Sequence, residues 1–315
     1  MPVEINKNSE ESSFESMPDP IRVEESSVAF NESISSVENN NGSETGLSAI
    51  EMNDPNSISV TIADPNVPLI ILFGPPRCGK TMTLIRLTRY LKKQGYKISP
   101  IRTFRPSEDK NYENLCNNFD LLINNTKAAE GTDPISFMLI AVSKNGNPLC
   151  QILEAPGEYY FNPKEPNNPF PNYVNTIINS GNRKIWSILV EPDWKNEMDR
   201  QNYVTRITSL KQKMRLRDKV LFIYNKIDKT NFVISVGNIN TTSAIEDIQN
   251  LYPNIFVPFL NQNPITKLFK KYNSGFVPFQ TGDYTNAVNG AITYQDGPEE
   301  YCENLWNNLL KNIKG

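Results

Sequence analysis

The sequence predicts an α/β fold in which a mostly parallel central sheet, carrying one antiparallel strand, lies between layers of helices. Three observations predict it. Short continuous apolar runs alternate with stretches whose apolar residues recur at helical spacing. One run leads directly into a glycine-bearing loop and then an amphipathic stretch. Two other runs flank an Asn-Gly pair, which marks a hairpin and hence an antiparallel neighbour in the sheet.

The elements follow in order. Val67-Pro-Leu-Ile-Ile-Leu-Phe73 is a continuous apolar run, expected of a strand buried on both faces. Thr81–Lys93 carries Leu84, Leu87 and Leu91 at helical spacing. Residues 135–142 and 149–153 are strands on either side of Asn145-Gly146. Residues 185–190 and 220–224 are further buried strands, with a helix over 198–217 between them. Residues 276–279 form a short strand. Tyr301, Leu305 and Leu309 place one apolar stripe on a final helix that starts after Asp296-Gly-Pro298.

Charge divides the chain unevenly. Residues 1–60 hold 12 acidic and 2 basic side chains, against 23 and 30 in the remainder. The leading segment is rich in Ser, Asn and Glu, too polar to offset the entropy of ordering it. Residues 1–65 are therefore expected to be a disordered acidic tail, either a solvated leader or an arm that binds a partner or the basic body. Several function classes fall away on composition. With no histidine, Ser-His-Asp and Cys-His catalysis and every His-ligated metal site are excluded. The four cysteines form no CxxC pair, so neither a disulfide framework nor a zinc knuckle is indicated. No apolar stretch is long enough to span a membrane, and the first residues lack the pattern of a signal peptide. The expected location is cytoplasmic. The excess bases are interleaved with acids and match no reader motif, so no nucleic-acid partner is expected.

What remains is chemistry run by lysine, hydroxyls, carboxylates and backbone amides, and phosphoryl transfer suits that inventory. Gly74-Pro75-Pro76-Arg77-Cys78-Gly79-Lys80-Thr81 fits the pattern GxxxxGK[ST] between a strand and a helix. Glycines let such a loop wrap phosphate oxygens, while its amides and the following helix N-terminus supply partial positive charge. Lys80 is expected to reach the β- and γ-phosphates, and the Thr81 hydroxyl to ligate Mg2+. Pro75 and Pro76 carry no amide hydrogen, so the loop has fewer donors than the pattern allows. This context places residues 66–315 in a three-layer P-loop NTPase fold.

Two further motifs follow strands. Asn225-Lys226-Ile227-Asp228 sits directly after the run ending at Tyr224, and Glu154-Ala155-Pro156-Gly157-Glu158 after the second strand of the hairpin. With the phosphate loop, in this order, they resemble the TRAFAC class of P-loop GTPases, the group of Ras-like and translation-factor GTPases. More loosely, the chain is similar to bacterial double-GTPase proteins. The resemblance implies a guanine nucleotide, GTP or GDP, as ligand. Asp228 would accept hydrogen bonds from guanine N1–H and the 2-amino group, a donor pair adenine does not present. Asn225 would tie this loop to the phosphate loop, and the stem of Lys226 would cover the purine. Gly157 would meet the γ-phosphate and Glu154 the magnesium, although the family carries the shorter Asp there. Glu158 stands where related enzymes often hold a water-positioning Gln; an exposed turn acid is the alternative.

The resemblance also calls for a threonine that closes on magnesium. Thr132 is best placed, with Thr126 second. Arg102 or Arg105 could serve as an arginine finger, or be surface arginines. Gln280-Thr281-Gly282 occupies the position of the family's loop over the base, which makes Thr281 a binding candidate. Spacing departs from the family: 74 residues separate Lys80 from Glu154, and 51 separate Asn225 from Phe276. These are read as insertions in switch I and after the base loop, which, like the acidic tail, offer surfaces to a protein partner. The implied activity is slow GTP hydrolysis in a molecular switch. A non-hydrolysing nucleotide-dependent scaffold and a P-loop ATPase are the alternatives.

Overall fold

Leu47 is the first residue described in the computed structural model, which describes residues 47–124, 137–269, 271–286 and 292–314. Residues 47–65, within the segment expected to be a tail, are among those described. Helix α1 (Ala49–Asn53) starts on a reciprocal cap between Ser48 and Glu51. Leu47, Ile58 and Val60 are buried, and the Thr61 amide donates to the Phe104 carbonyl at 2.8 Å. The polar composition of residues 47–65 conceals three apolar anchors, and the body begins before residue 66.

Strand β1 (Leu69–Phe73) is buried at every position, as its unbroken apolar run requires. The phosphate loop leads into α2 (Lys80–Lys93). Then come β2 (Lys97–Pro100), α3 (Lys110–Asn117) and α4 (Phe119–Asn124), structure that fills part of the expected switch I insertion. The hairpin of β3 (Met138–Lys144) and β4 (Asn147–Glu154) turns on Asn145 and Gly146, both at positive φ, 52° and 80°. That is the conformation which makes Asn-Gly a hairpin signal. A short turn, α5 (Gly157–Tyr160), and α6 (Asn172–Asn179) lead to β5 (Lys184–Val190), buried throughout.

Helix α7 (Glu197–Lys213) ends four residues before the expected limit. Asp218 there accepts from the amides of Arg215 and Lys184, so the chain turns toward the sheet instead of continuing the helix. Beyond β6 (Lys219–Tyr224), the second expected insertion folds as β7 (Val233–Ser235), β8 (Asn238–Ile239), α8 (Thr241–Leu251) and α9 (Pro264–Phe269). Strand β9 (Gly275–Pro278), the hairpin β10 (Gly282–Asn286) and β11 (Ile292–Asp296), and α10 (Glu299–Lys314) complete the described chain.

Seven strands form the main sheet in the order β2-β3-β4-β1-β5-β6-β9. All neighbours are parallel except β2–β3 and β3–β4, so β3 alone runs against the rest. This is the expected mostly parallel sheet with one antiparallel strand, and helices cover both sides. The core contains an aromatic cluster in which Phe73 meets Tyr160, Trp186 and Tyr203 at ring separations of 5.1–6.2 Å. The buried tyrosine Tyr203 donates to the Leu189 carbonyl at 3.1 Å, which secures α7 over the strands flanking the phosphate loop. Helix α10 packs on α2 and against β6 and β9. The sheet thus brings the C-terminal ends of β1, β4, β5 and β6 together, the edge where open α/β sheets bind ligands.

Candidate functional site

The loop after β1 is built by close packing. Gly79 has φ 91°, and a Cβ there would stand 2.3 Å from the Asn225 amide nitrogen. A Cβ on Gly74 would meet the Cys78 sulfur at 2.5 Å. Glycine is required at both places for the loop to close. The buried Lys80 Nζ donates to the Pro75 carbonyl at 2.9 Å. Cys78 is buried, which pushes its thiol up to about 11 and leaves it inert at neutral pH. Arg77 holds a left-handed conformation at φ 63°, unusual for a residue with a Cβ.

The segment after β4 comes down onto this loop. The Thr81 hydroxyl donates to Glu154 Oε1 at 3.2 Å, while the buried Glu154 Oε2 has no hydrogen-bond partner. Burial holds the Glu154 carboxyl well above the usual carboxylate range; Lys80 and the Thr81 hydroxyl pull the other way. A Cβ on Gly157 would lie 2.4 Å from the Pro76 nitrogen and 2.7 Å from Lys80 Nζ. Glu158 is exposed at the start of α5. A hydroxyl beside a buried carboxylate with one unsatisfied oxygen is hard-oxygen chemistry that fits Mg2+. Among the described residues no group of three or more metal-ligating acids or thiols converges, so phosphate oxygens would have to complete such a shell.

The third wall follows β6. Asn225 Nδ2 donates to the Cys78 carbonyl at 2.9 Å, joining this loop to the phosphate loop. Lys226 adopts the left-handed conformation (φ 55°, ψ 38°), and its ammonium lies 2.6 Å from Glu191 and 2.9 Å from Asp193. Burial opposes that charge, but the two acids outweigh it and hold Lys226 above the ordinary lysine value. Lys229 pairs with Asp193 as well. Asp228 is exposed to the cleft; what burial its carboxyl has, and to a lesser degree Asp283, raise it above the usual range.

The fourth wall is the segment from Thr281 to Asp283. The Tyr294 hydroxyl on β11 donates to the Thr281 carbonyl at 2.7 Å. Gly282 passes so close to β11 that a Cβ would lie 2.3 Å from the Gln295 carbonyl.

One cleft of about 740 Å3 collects these walls, within the range of small-molecule sites. Pro76, Arg77, Gly79, Lys80 and Thr81 line it from the phosphate loop, with Asn225, Lys226, Asp228 and Thr281 from the loops after β6 and β9, and Glu154, Gly157 and Glu158 from the segment after β4; the phosphate loop touches both of the others, Asn225 on Cys78 and Glu154 on Thr81. Gly74, Pro75 and Cys78 shape the loop from behind. Thr132 and Thr126 fall outside the described residues. Arg102 and Arg105 are not part of the cleft. Arg102 donates to Asn117 at 2.7 Å, and the buried Arg105 binds Asp109, Glu51 and the Ser59 carbonyl. Arg105 anchors the segment before β1 and is neither a surface arginine nor a finger.

Sequence reasoning missed Glu191, Asp193, Lys229 and Asp283. A signal existed for the first two: Glu191-Pro-Asp193 follows directly on β5, at the same sheet edge as the motifs.

No family model and no curated protein matches the chain. Among solved structures, a nucleolar GTP-binding protein 1 from Plasmodium falciparum is 16% identical, covering 81% of this chain and 92% of that one, with a TM-score of 0.39. Translation elongation factor SelB from Methanococcus maripaludis, in its apo form, is 11% identical, with a TM-score of 0.32. That match covers 79% of this chain and only 34% of SelB, about a third of its length. The sheet order and the strand–loop–helix around Lys80 are those of a P-loop NTPase fold.

Proposed function

We propose that the chain binds GTP with Mg2+ and hydrolyses it slowly to GDP and phosphate, serving as a molecular switch. The observation that carries the reading is that Lys80 and Asp228 line the same cleft, at loops tied by Asn225 and Cys78. A single nucleotide can then rest its phosphates on one loop and its base on the other. At the base end, Asp228 accepts from guanine N1–H and the 2-amino group. Adenine would leave that carboxylate unpaired, at a cost of about 1–3 kcal/mol. Lys226, fixed at its tip by Glu191 and Asp193, presents its stem to the purine face.

At the phosphate end, Lys80 leaves the Pro75 carbonyl for the β- and γ-phosphates, an exchange of a neutral acceptor for an anionic one. Thr81 and Glu154 would hold magnesium, which supplies positive charge to the phosphate oxygens when bound. The Gly157 amide approaches the γ-phosphate because its missing side chain permits contact with the loop. Glu158, exposed in the cleft, is proposed to orient water, and Thr132 is proposed to close over the metal from the family resemblance.

A second reading is a nucleotide-dependent scaffold without turnover, favoured by the exposed carboxylate of Glu158 in place of a neutral water-positioning side chain. Phosphate release from GTP, with Lys80→Ala as the blank, separates the two. Release above the blank supports a GTPase, whereas binding of GTP with release at the blank level supports the scaffold.

A further inference from the structure

We infer that Arg77, within the phosphate loop itself, is the arginine finger of this site, acting in cis on the γ-phosphate of bound GTP; the inference rests on the nucleotide reading above. Four observations carry it. Arg77 lines the same cleft as Lys80 and Gly157. It is exposed and makes no hydrogen bond or ion pair with the described residues. The other cations bordering the cleft are engaged: Lys80 on the Pro75 carbonyl, Lys226 on Glu191 and Asp193, Lys229 on Asp193. Finally, Arg77 sits in the left-handed region at φ 63°, a conformation disfavoured for a residue with a Cβ and concentrated at functional sites.

The sequence of the loop explains why a full charge is needed there. Pro75 and Pro76 remove two amide donors from a loop whose usual work is done by successive N–H groups. Arg77 is the next residue, and its guanidinium restores in one group more positive charge than the two missing dipoles. In hydrolysis, water oxygen bonds to the γ-phosphorus as the bond from phosphorus to the β,γ-bridging oxygen breaks. The electron pair remains on the bridging oxygen, which leaves as the terminal phosphate of GDP, and the proton from water passes to the phosphate product or to solvent. Charge thus grows toward the bridging oxygen, and a guanidinium there stabilises the transition state more than bound GTP. Arg102 and Arg105 are held elsewhere and supply no such charge.

The test compares the full chain with Arg77→Ala and Arg77→Lys. Three quantities are measured: affinity for GDP, affinity for GDP with aluminium fluoride and Mg2+, and single-turnover hydrolysis of GTP. The inference expects GDP affinity to change by less than about threefold. It expects hydrolysis to fall about 10³-fold in Arg77→Ala, with partial recovery in Arg77→Lys. It also expects aluminium fluoride to tighten GDP binding in the wild type but not in Arg77→Ala. Hydrolysis and transition-state-analogue binding equal to wild type would overturn the inference while leaving the nucleotide reading intact. So would parallel loss of GDP and analogue affinity, which would make Arg77 a ground-state phosphate contact. A wild type that binds guanine nucleotide without hydrolysing it refutes the finger and the proposed hydrolysis together while leaving nucleotide binding intact, and one that binds none overturns the nucleotide reading itself.

Discussion

The side-chain amide of Asn225 donates to the backbone carbonyl of Cys78 across 2.9 Å, and this bond joins two loops that lie 147 residues apart in sequence. Both partners are buried, and the Asn225 amide nitrogen occupies the space a side chain on Gly79 would need. One buried hydrogen bond thus ties the base loop to the phosphate loop, in addition to the pairing of β1, β5 and β6 that carries them.

Replacing Asn225 with Ala leaves the Cys78 carbonyl unpaired in the interior. Stability should fall by about 1–3 kcal/mol, and GTP affinity should fall with it, because the two loops lose that tie. Denaturant unfolding and a GTP titration check the two effects. Stability lost with affinity unchanged would show that the bond holds the fold and not the site.

Gly157→Ala introduces a Cβ about 2.4 Å from the Pro76 nitrogen and 2.7 Å from Lys80 Nζ. The overpacking should destabilise the chain by roughly 1–3 kcal/mol. It should also displace the segment that meets the γ-phosphate, so GTP should lose more affinity than GDP. Equal loss for both nucleotides would place Gly157 away from the γ-phosphate.

Arg105 is expected to be structural. Its guanidinium is buried against Glu51, Asp109 and the Ser59 carbonyl. Arg105→Ala strands those acids and should cost about 3–5 kcal/mol, while the folded fraction keeps its hydrolysis rate per molecule. A stable Arg105→Ala variant that has lost catalysis would contradict this assignment.

These expectations show where the sequence was readable. The phosphate loop, Asn225 to Asp228 and Asn145-Gly146 are contiguous and depend on local backbone geometry, so they could be located directly. The segment from Leu47 to Val60 could not, because three apolar anchors are diluted by acids and serines and only the fold shows what they pack against. Strand β2 was missed because Ile98 is its single buried residue, too little to create an alternation. The partners of Lys226 lie 33 and 35 residues upstream, beyond the reach of a motif, and Arg105 needed a fold before its three partners could be assembled.

Guanine recognition should depend on pH through Asp228. Burial and the nearby Asp283 raise its carboxyl above the ordinary range in the folded chain. Only the ionised form accepts from both guanine donors, so affinity is complete above that raised value and is lost as pH falls through it. Asp283→Asn removes one cause of the shift and should move the acid limb to lower pH. Titrating GTP affinity against pH in both proteins, with the phosphate's own ionisation common to each, checks the direction. An unmoved or raised limb would exclude Asp228 as the group that titrates.

The central claim, that one guanine nucleotide spans Lys80 and Asp228, is tested most directly by competition. Labelled GTP bound to the chain is challenged with unlabelled GTP, ATP and XTP, in the wild type and in Asp228→Asn, whose amide can donate to the xanthine 2-oxo group. In the wild type, GTP should displace the label while ATP and XTP are weaker by about tenfold or more; in Asp228→Asn, XTP should overtake GTP. Displacement by ATP as effective as by GTP, with no change of preference in the variant, would contradict the account.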